Sequence, residues 1–190
     1  MRVALWLLAC QGVMGAFDTL YYHEWRVRLP AMGREARAEL GLHAARALIY
    51  SVIFGTLPAV AWRGWWTLML AALLVAEIII TLADFVVEDR VRRPLGGVFH
   101  GERVTHALMG IVYGAMLGHL VPVMSDWWRA PTALAWEKAQ MPRELGWALA
   151  LMAMGVGLSG LRDLCAAVGL PHSGWPWRVG GRAAAAEASS

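Results

Sequence analysis

Six side chains in this sequence have the types and the spacing of a metal-ligand set. Glu39 and His43 stand four residues apart, and so do Glu102 and His106. Residues i and i+4 share one face of an α-helix, about 6 Å apart along its axis, so each pair presents a carboxylate and an imidazole in the same direction. Glu24 and Glu88 precede the two pairs by 15 and 14 residues. Two divalent ions a few ångströms apart repel; bridging carboxylates neutralise them, and mixed oxygen and imidazole donors suit iron or manganese. A plainer reading competes: intrahelical Glu–His pairs, with Glu24 balanced by Arg28 and Glu88 by Arg92 at i,i+4.

Duplication favours the ligand reading. Glu24-Trp25-Arg26-Val27-Arg28-Leu29-Pro30 aligns position by position with Glu88-Asp89-Arg90-Val91-Arg92-Arg93-Pro94. Tyr50 and Tyr113 each follow their histidine by seven residues, and Pro58 and Pro122 close the two copies. A salt bridge with no other role has no reason to recur with its histidine and tyrosine. The repeat predicts two copies of one helical hairpin, related by an axis along the membrane normal. Two-fold packing would gather four glutamates and two histidines at one depth. Tyr50 and Tyr113 would then order the second layer of the site. Asp84 stands in reserve should Glu88 pair with arginine, and His23 is an additional donor beside Glu24. Glu77 lies deeper, at mid-bilayer, where an ionisable group points to a functional site. Arg46 reads as a counter-charge for Glu77 or Asp84.

One Glu plus a Glu/His helix pair from each half resembles the ligand pattern of the carboxylate-bridged di-iron proteins of the ferritin-like class, Glu, Glu-x-x-His, Glu, Glu-x-x-His on four helices. Here three residues, not two, separate Glu39 from His43 and Glu102 from His106. The resemblance is therefore one of chemistry and symmetry, and it covers the first four apolar spans. It implies a di-metal centre, iron or manganese, held by Glu24, Glu39, His43, Glu88, Glu102 and His106. Otherwise the chain resembles small bacterial inner-membrane proteins, a likeness that brings no function.

The elements that must position these groups are membrane helices. The 190 residues are 58% hydrophobic and 16% charged, against the roughly one quarter charged of soluble domains. That balance excludes a soluble enzyme, a disordered tail and an ordinary nucleic-acid binder. A span needs about 20 apolar residues, and five stretches qualify. They are Val3–Tyr22, Leu42–Trp62, Trp65–Val87, Val104–Met124 and Gly146–Leu170. The expected fold is thus all-α, one transmembrane domain over 1–180 with five helices. Repeats over 3–62 and 65–124 form a pseudo-two-fold bundle, the fifth helix covers 146–170, and 181–190 is a disordered tail.

Arginines crowd the loops after the first span (Arg26, Arg28, Arg34, Arg37) and the third (Arg90, Arg92, Arg93, Arg103), while Arg63 stands alone between the second and third. The positive-inside rule predicts a multi-pass protein of the cell inner membrane, its N-terminus outside, its C-terminus and the acidic cluster on the cytoplasmic side. Trp62, Trp65, Trp66, Trp127 and Trp128 mark the outer interface; Trp25, Trp175 and Trp177 mark the inner one. Pro131–Glu144 reads as a short amphipathic helix capped by Thr132. Gly110, Gly114 and Gly118 offer a small-residue stripe for close helix packing. Leu7-Leu8-Ala9-Cys10 also fits a lipoprotein-type signal with its acceptor cysteine. Cys10 and Cys165 are too few for a disulfide framework.

These features lead to a membrane-embedded di-metal oxidase or hydroxylase acting on a lipid-like or quinone-like substrate. Alternatives are a small transporter or channel using Glu77, Asp84 and Arg46, and a non-catalytic assembly protein that forms a homo-oligomer. The spacing of His106 and His119 suits haem, but His43 has no matching second histidine, so haem is disfavoured. His100 and His172 have no partner in view.

Overall fold

A computed structural model describes residues 1–176; Trp177 and the expected tail at 181–190 lie outside the described residues. The chain is almost wholly helical. Helix α1 (Arg2–Phe17) continues without a break into a π-helical segment, Asp18–Val27. Arg28 ends it in the left-handed conformation, φ 57°, ahead of a 3₁₀ turn at Leu29–Ala31. Then come α2 (Arg37–Thr56), strand β1 (Val60–Arg63), α3 (Trp65–Arg92), α4 (His100–Trp128), strand β2 (Ala133–Trp136) and α5 (Arg143–Val168).

Four helical stretches are long and apolar enough to cross a membrane: Arg2–Val27, Trp65–Arg92, His100–Trp128 and Arg143–Val168. Their outward faces carry large apolar side chains such as Phe17, Ile79, Ile111 and Leu158, all at least half exposed, as lipid-facing surfaces require. Helix α2 is not among the four, because Glu39, His43 and Arg46 interrupt its apolar sequence. Its position explains how it tolerates them. α3 and α5 flank it, and α5 covers it along most of its length. Close approach there is set by α5: a Cβ added to Gly160 would stand 2.7 Å from the Ala47 Cβ, and one on Gly157 would stand 2.8 Å from the Ser51 Oγ. The glycine stripe expected to do this on α4 does not; a Cβ on Gly110, Gly114 or Gly118 meets nothing within 4 Å.

α1 packs on α4 and α2 on α3, whereas α3 and α4 touch sparingly. Leu5, Leu8, Ile53, Leu70, Met116, Leu120 and Leu149 fill the core toward one end of the bundle. A smaller cluster of Leu29, Ala36, Leu40, Ala166 and Ala167 closes the other. The first end is capped by a β-ribbon. β1 and β2 pair antiparallel with Val60 opposite Trp136 and Arg63 opposite Ala133, and Arg63 reaches Glu137 at 2.6 Å. The Pro131–Glu144 segment is therefore a strand with flanking loop, not a helix: α2 stops at Thr56, freeing Val60–Arg63 to offer its backbone to this segment. Thr132 does act near a helix start, but its Oγ1 accepts from the Trp65 N–H of α3 at 3.3 Å. That approach needs glycine at position 64, where φ is 57° and a Cβ would collide with Thr132.

Candidate metal centre

At the end opposite the ribbon, the π-helical segment supplies the first two groups. In an α-helix, residues i and i+5 point about 140° apart; the i→i+5 repeat of a π-helix stacks them on one face. Asp18 and His23 are so related, both are buried, and His23 Nε2 lies 3.3 Å from Asp18 Oδ2. From α4, His106 Nε2 hydrogen-bonds the same carboxylate oxygen at 3.1 Å, and Glu102 Oε1 comes within 3.3 Å of His23 Nε2. Phe85 stacks on the His106 ring at a centroid distance of 5.1 Å and fixes its plane. One donor atom from each of Asp18, His23, Glu102 and His106 falls within 4.8 Å of all the others. Two donors bound at about 2.1 Å to one ion can be at most about 4.2 Å apart, so a small contraction would complete a two-imidazole, two-carboxylate site.

A second group lies on the other side of His23. Donor atoms of His23, Glu39 and His43 also fall within 4.8 Å of one another. The His23 and His43 rings lie 4.5 Å apart, and His43 Nε2 is 3.2 Å from Asp84 Oδ2. Here a protein cation is already in place. Arg92, 1% exposed, donates to Glu39 Oε1 at 2.6 Å and stands 3.6 Å from Glu102, 3.7 Å from Glu88 and 3.4 Å from His23 Nδ1. Guanidinium has no acceptor, so His23 Nδ1 facing Arg92 must be the unprotonated nitrogen, with Nε2 carrying the hydrogen. A metal ion on Nε2 would require the opposite tautomer, with Nδ1–H turned to Glu39.

The balance of charge and hydrogen bonds fits an additional cation. Of the seven buried carboxylates among the described residues, the five of this cluster (Asp18, Glu39, Asp84, Glu88, Glu102) stand with two guanidinium groups, Arg46 and Arg92, and three imidazoles, His23, His43 and His106. Both oxygens of Glu102 and one oxygen each of Asp18, Glu39, Asp84 and Glu88 are buried without a hydrogen-bond partner among the described residues, as are the donors Nε and Nη1 of Arg92. Each unsatisfied buried polar group costs about 1–3 kcal/mol, and more when charged. A metal ion satisfies such oxygens collectively.

Of the residues singled out by sequence, Glu39, His43, Glu88, Glu102 and His106 are brought together at this end. Glu88 reaches His106 Nδ1 at 3.6 Å as well as Arg92. Glu24 is turned away: Arg162 of α5 holds its carboxylate through both terminal nitrogens. Asp84 takes the position beside His43, and Arg46 pairs with it at 3.4 Å. Tyr50 and Tyr113 face each other edge to face deeper in the bundle, 6.4 Å between centroids. Tyr50 donates to Glu77 at 3.0 Å and accepts from Gln11 at 3.2 Å, while Tyr113 donates to the Leu74 carbonyl at 3.1 Å. Both therefore serve Glu77 and its surroundings and make no hydrogen bond to the cluster. His119 is exposed on α4 and Cys10 on the unbroken α1. Asp18 and the central placement of Arg92 are the two features that spacing alone did not reveal. The signal for Asp18 required knowing that the helix changes period at that residue. No protein-family model, curated protein or solved structure matches this chain.

Proposed function

We propose that the chain is a membrane-embedded metal protein whose centre lies where α1, α2, α3 and α4 converge. The observation that carries this reading is the buried, under-neutralised set Asp18, His23, Glu102 and His106, with its donor atoms within 4.8 Å of one another. Asp18, His23, Glu102 and His106 would hold a first ion, and Glu39, His43 and Asp84 would hold a second, which would make the centre dinuclear. Iron or manganese suits this oxygen-rich mixed donor set. When bound, such a pair supplies one- and two-electron redox chemistry, and the activity we assign is oxidation or hydroxylation of a lipid-like or quinone-like substrate.

The two-fold repeat supports the reading. α1 meets α4 and α2 meets α3, the pairing that exchange of two identical hairpins produces. Aspartate–histidine contacts also run between the two halves, Asp18 with His106 and Asp84 with His43, although the two aspartates are not matched positions: the alignment sets Asp18 against Leu82. In this account α2 is the fifth span, shielded by its neighbours, and the centre faces the cytoplasm. The test is oxygen uptake by ferrous-reconstituted protein in detergent. Uptake that disappears in His106→Ala supports the assignment; iron-loaded protein that consumes no oxygen overturns it.

One observation favours a second reading. A cavity of about 390 Å³ lined by Glu77, Arg46, Tyr113 and His106 links the middle of the bundle to the cluster. A transporter or channel would use it as a proton or cation path. Liposome flux abolished by Glu77→Gln would support that reading, and unchanged flux would remove it.

A further inference from the structure

A second cavity, about 400 Å³, opens between α1, α2 and α5, on the other side of Arg46 and Gln11 from the one just described. Most of its wall is apolar, supplied by Leu151, Met152, Val156 and the small surfaces of Gly15 and Gly155. The stacked rings of Tyr50 and Phe54, 5.6 Å between centroids, form part of it. His43, Arg46 and Asp163 lie on the same wall, together with the neutral polar side chains Gln11, Thr19 and Ser159. Only one Arg46 nitrogen is engaged, with Asp84 at 3.4 Å, which leaves further N–H donors of its five. Asp163 is 6% exposed and makes no hydrogen bond or ion pair among the described residues.

This combination selects among amphipathic molecules. A fatty-acid carboxylate satisfies Arg46 but brings a second negative charge to Asp163. A quinol ring carries two hydroxyls, each able to accept and to donate, so one can take an Arg46 N–H while the other gives its hydrogen to Asp163. Aromatic walls suit the ring, and the apolar remainder suits a hydrocarbon chain; a volume of this size accepts a ring with the start of a chain. We propose that this cavity binds a molecule with a quinol-type head and a single apolar tail, the head held between Arg46 and Asp163. That the bound molecule is a substrate rests on the metal-centre reading above; that it binds does not.

The experiment measures binding of a decyl-chain benzoquinol and of dodecanoate to the detergent-purified full chain, with metal content determined on the same samples. The quinol is expected to saturate near one per chain and to bind at least tenfold more tightly than dodecanoate. Arg46→Gln should weaken it at least tenfold. Gly155→Leu should do the same with metal content unchanged, since a Cβ there meets nothing within 4 Å and the larger side chain occupies only the cavity. Quinol uptake that is non-saturable, or equal in wild type and Gly155→Leu, overturns the proposal, as does tighter binding of dodecanoate. Saturable quinol binding by a protein free of metal supports it while sinking the metal-centre reading.

Discussion

A guanidinium as deeply buried as that of Arg92 carries a large desolvation cost, offset here by Glu39 at 2.6 Å and by Glu88 and Glu102 within 3.7 Å. Removing one partner of such a set leaves charges stranded and typically costs about 3–5 kcal/mol. Arg92→Gln should therefore lower the stability of metal-free protein by about that much. Millimolar manganese should restore most of the loss, because a divalent ion then takes over neutralisation of the same carboxylates; denaturation in detergent with and without the ion reads both effects. Equal destabilisation in the two conditions would show that Arg92 and metal do not share those oxygens. Asp18 and Glu24 give a paired contrast six residues apart. Asp18→Asn removes a ligand charge and should reduce bound metal at least tenfold, whereas Glu24→Gln should leave metal content unchanged, since that carboxylate is engaged by Arg162.

At the level of elements, the change of period within the first helix decides which side chains reach the site. A uniform 3.6-residue repeat would carry Asp18 and His23 to different faces; the π-helical turn aligns them and swings Glu24 toward α5. This is why spacing made Glu39/His43 and Glu102/His106 legible as pairs, both lying on regular α-helix, yet left Asp18 unseen. The sequence pattern likewise pointed to the helices on which the clustered carboxylates and histidines stand, while the polar character of α2 could be understood only once α3 and α5 were seen on either side of it. Backbone pairing between Val60–Arg63 and Ala133–Trp136 joins segments about 70 residues apart, which no local pattern signals. Glycines distinguish used from unused surfaces. Gly160→Val should destabilise by about 1–3 kcal/mol by forcing α5 off Ala47, whereas Gly114→Ala should be neutral or slightly stabilising, since it meets no neighbour and improves helix propensity. Thermal unfolding of the two variants side by side checks the difference.

For the whole molecule, α1, α3 and α5 run toward the acidic end of the bundle and α2 and α4 run away from it, so an apolar exterior encloses a polar centre at one end of the bundle. If all five helices cross, the termini lie on opposite sides, and the positive-inside rule, applied to the arginine-rich loops, predicts a cytoplasmic C-terminus. A C-terminal fluorescent-protein fusion should then fluoresce, and a C-terminal alkaline phosphatase fusion should be inactive; the reverse pattern would invert the bundle. Carboxylates collected in this way inside an apolar bundle are costly without a cation, and two arginines carry fewer charges than five ionised carboxylates. The most direct measurement is elemental analysis of detergent-purified protein, wild type beside Glu102→Ala. Wild-type chain should hold one to two iron or manganese ions and the variant less than a tenth of that; wild-type protein without a stoichiometric transition metal, or equal metal in both, would rule the metal centre out.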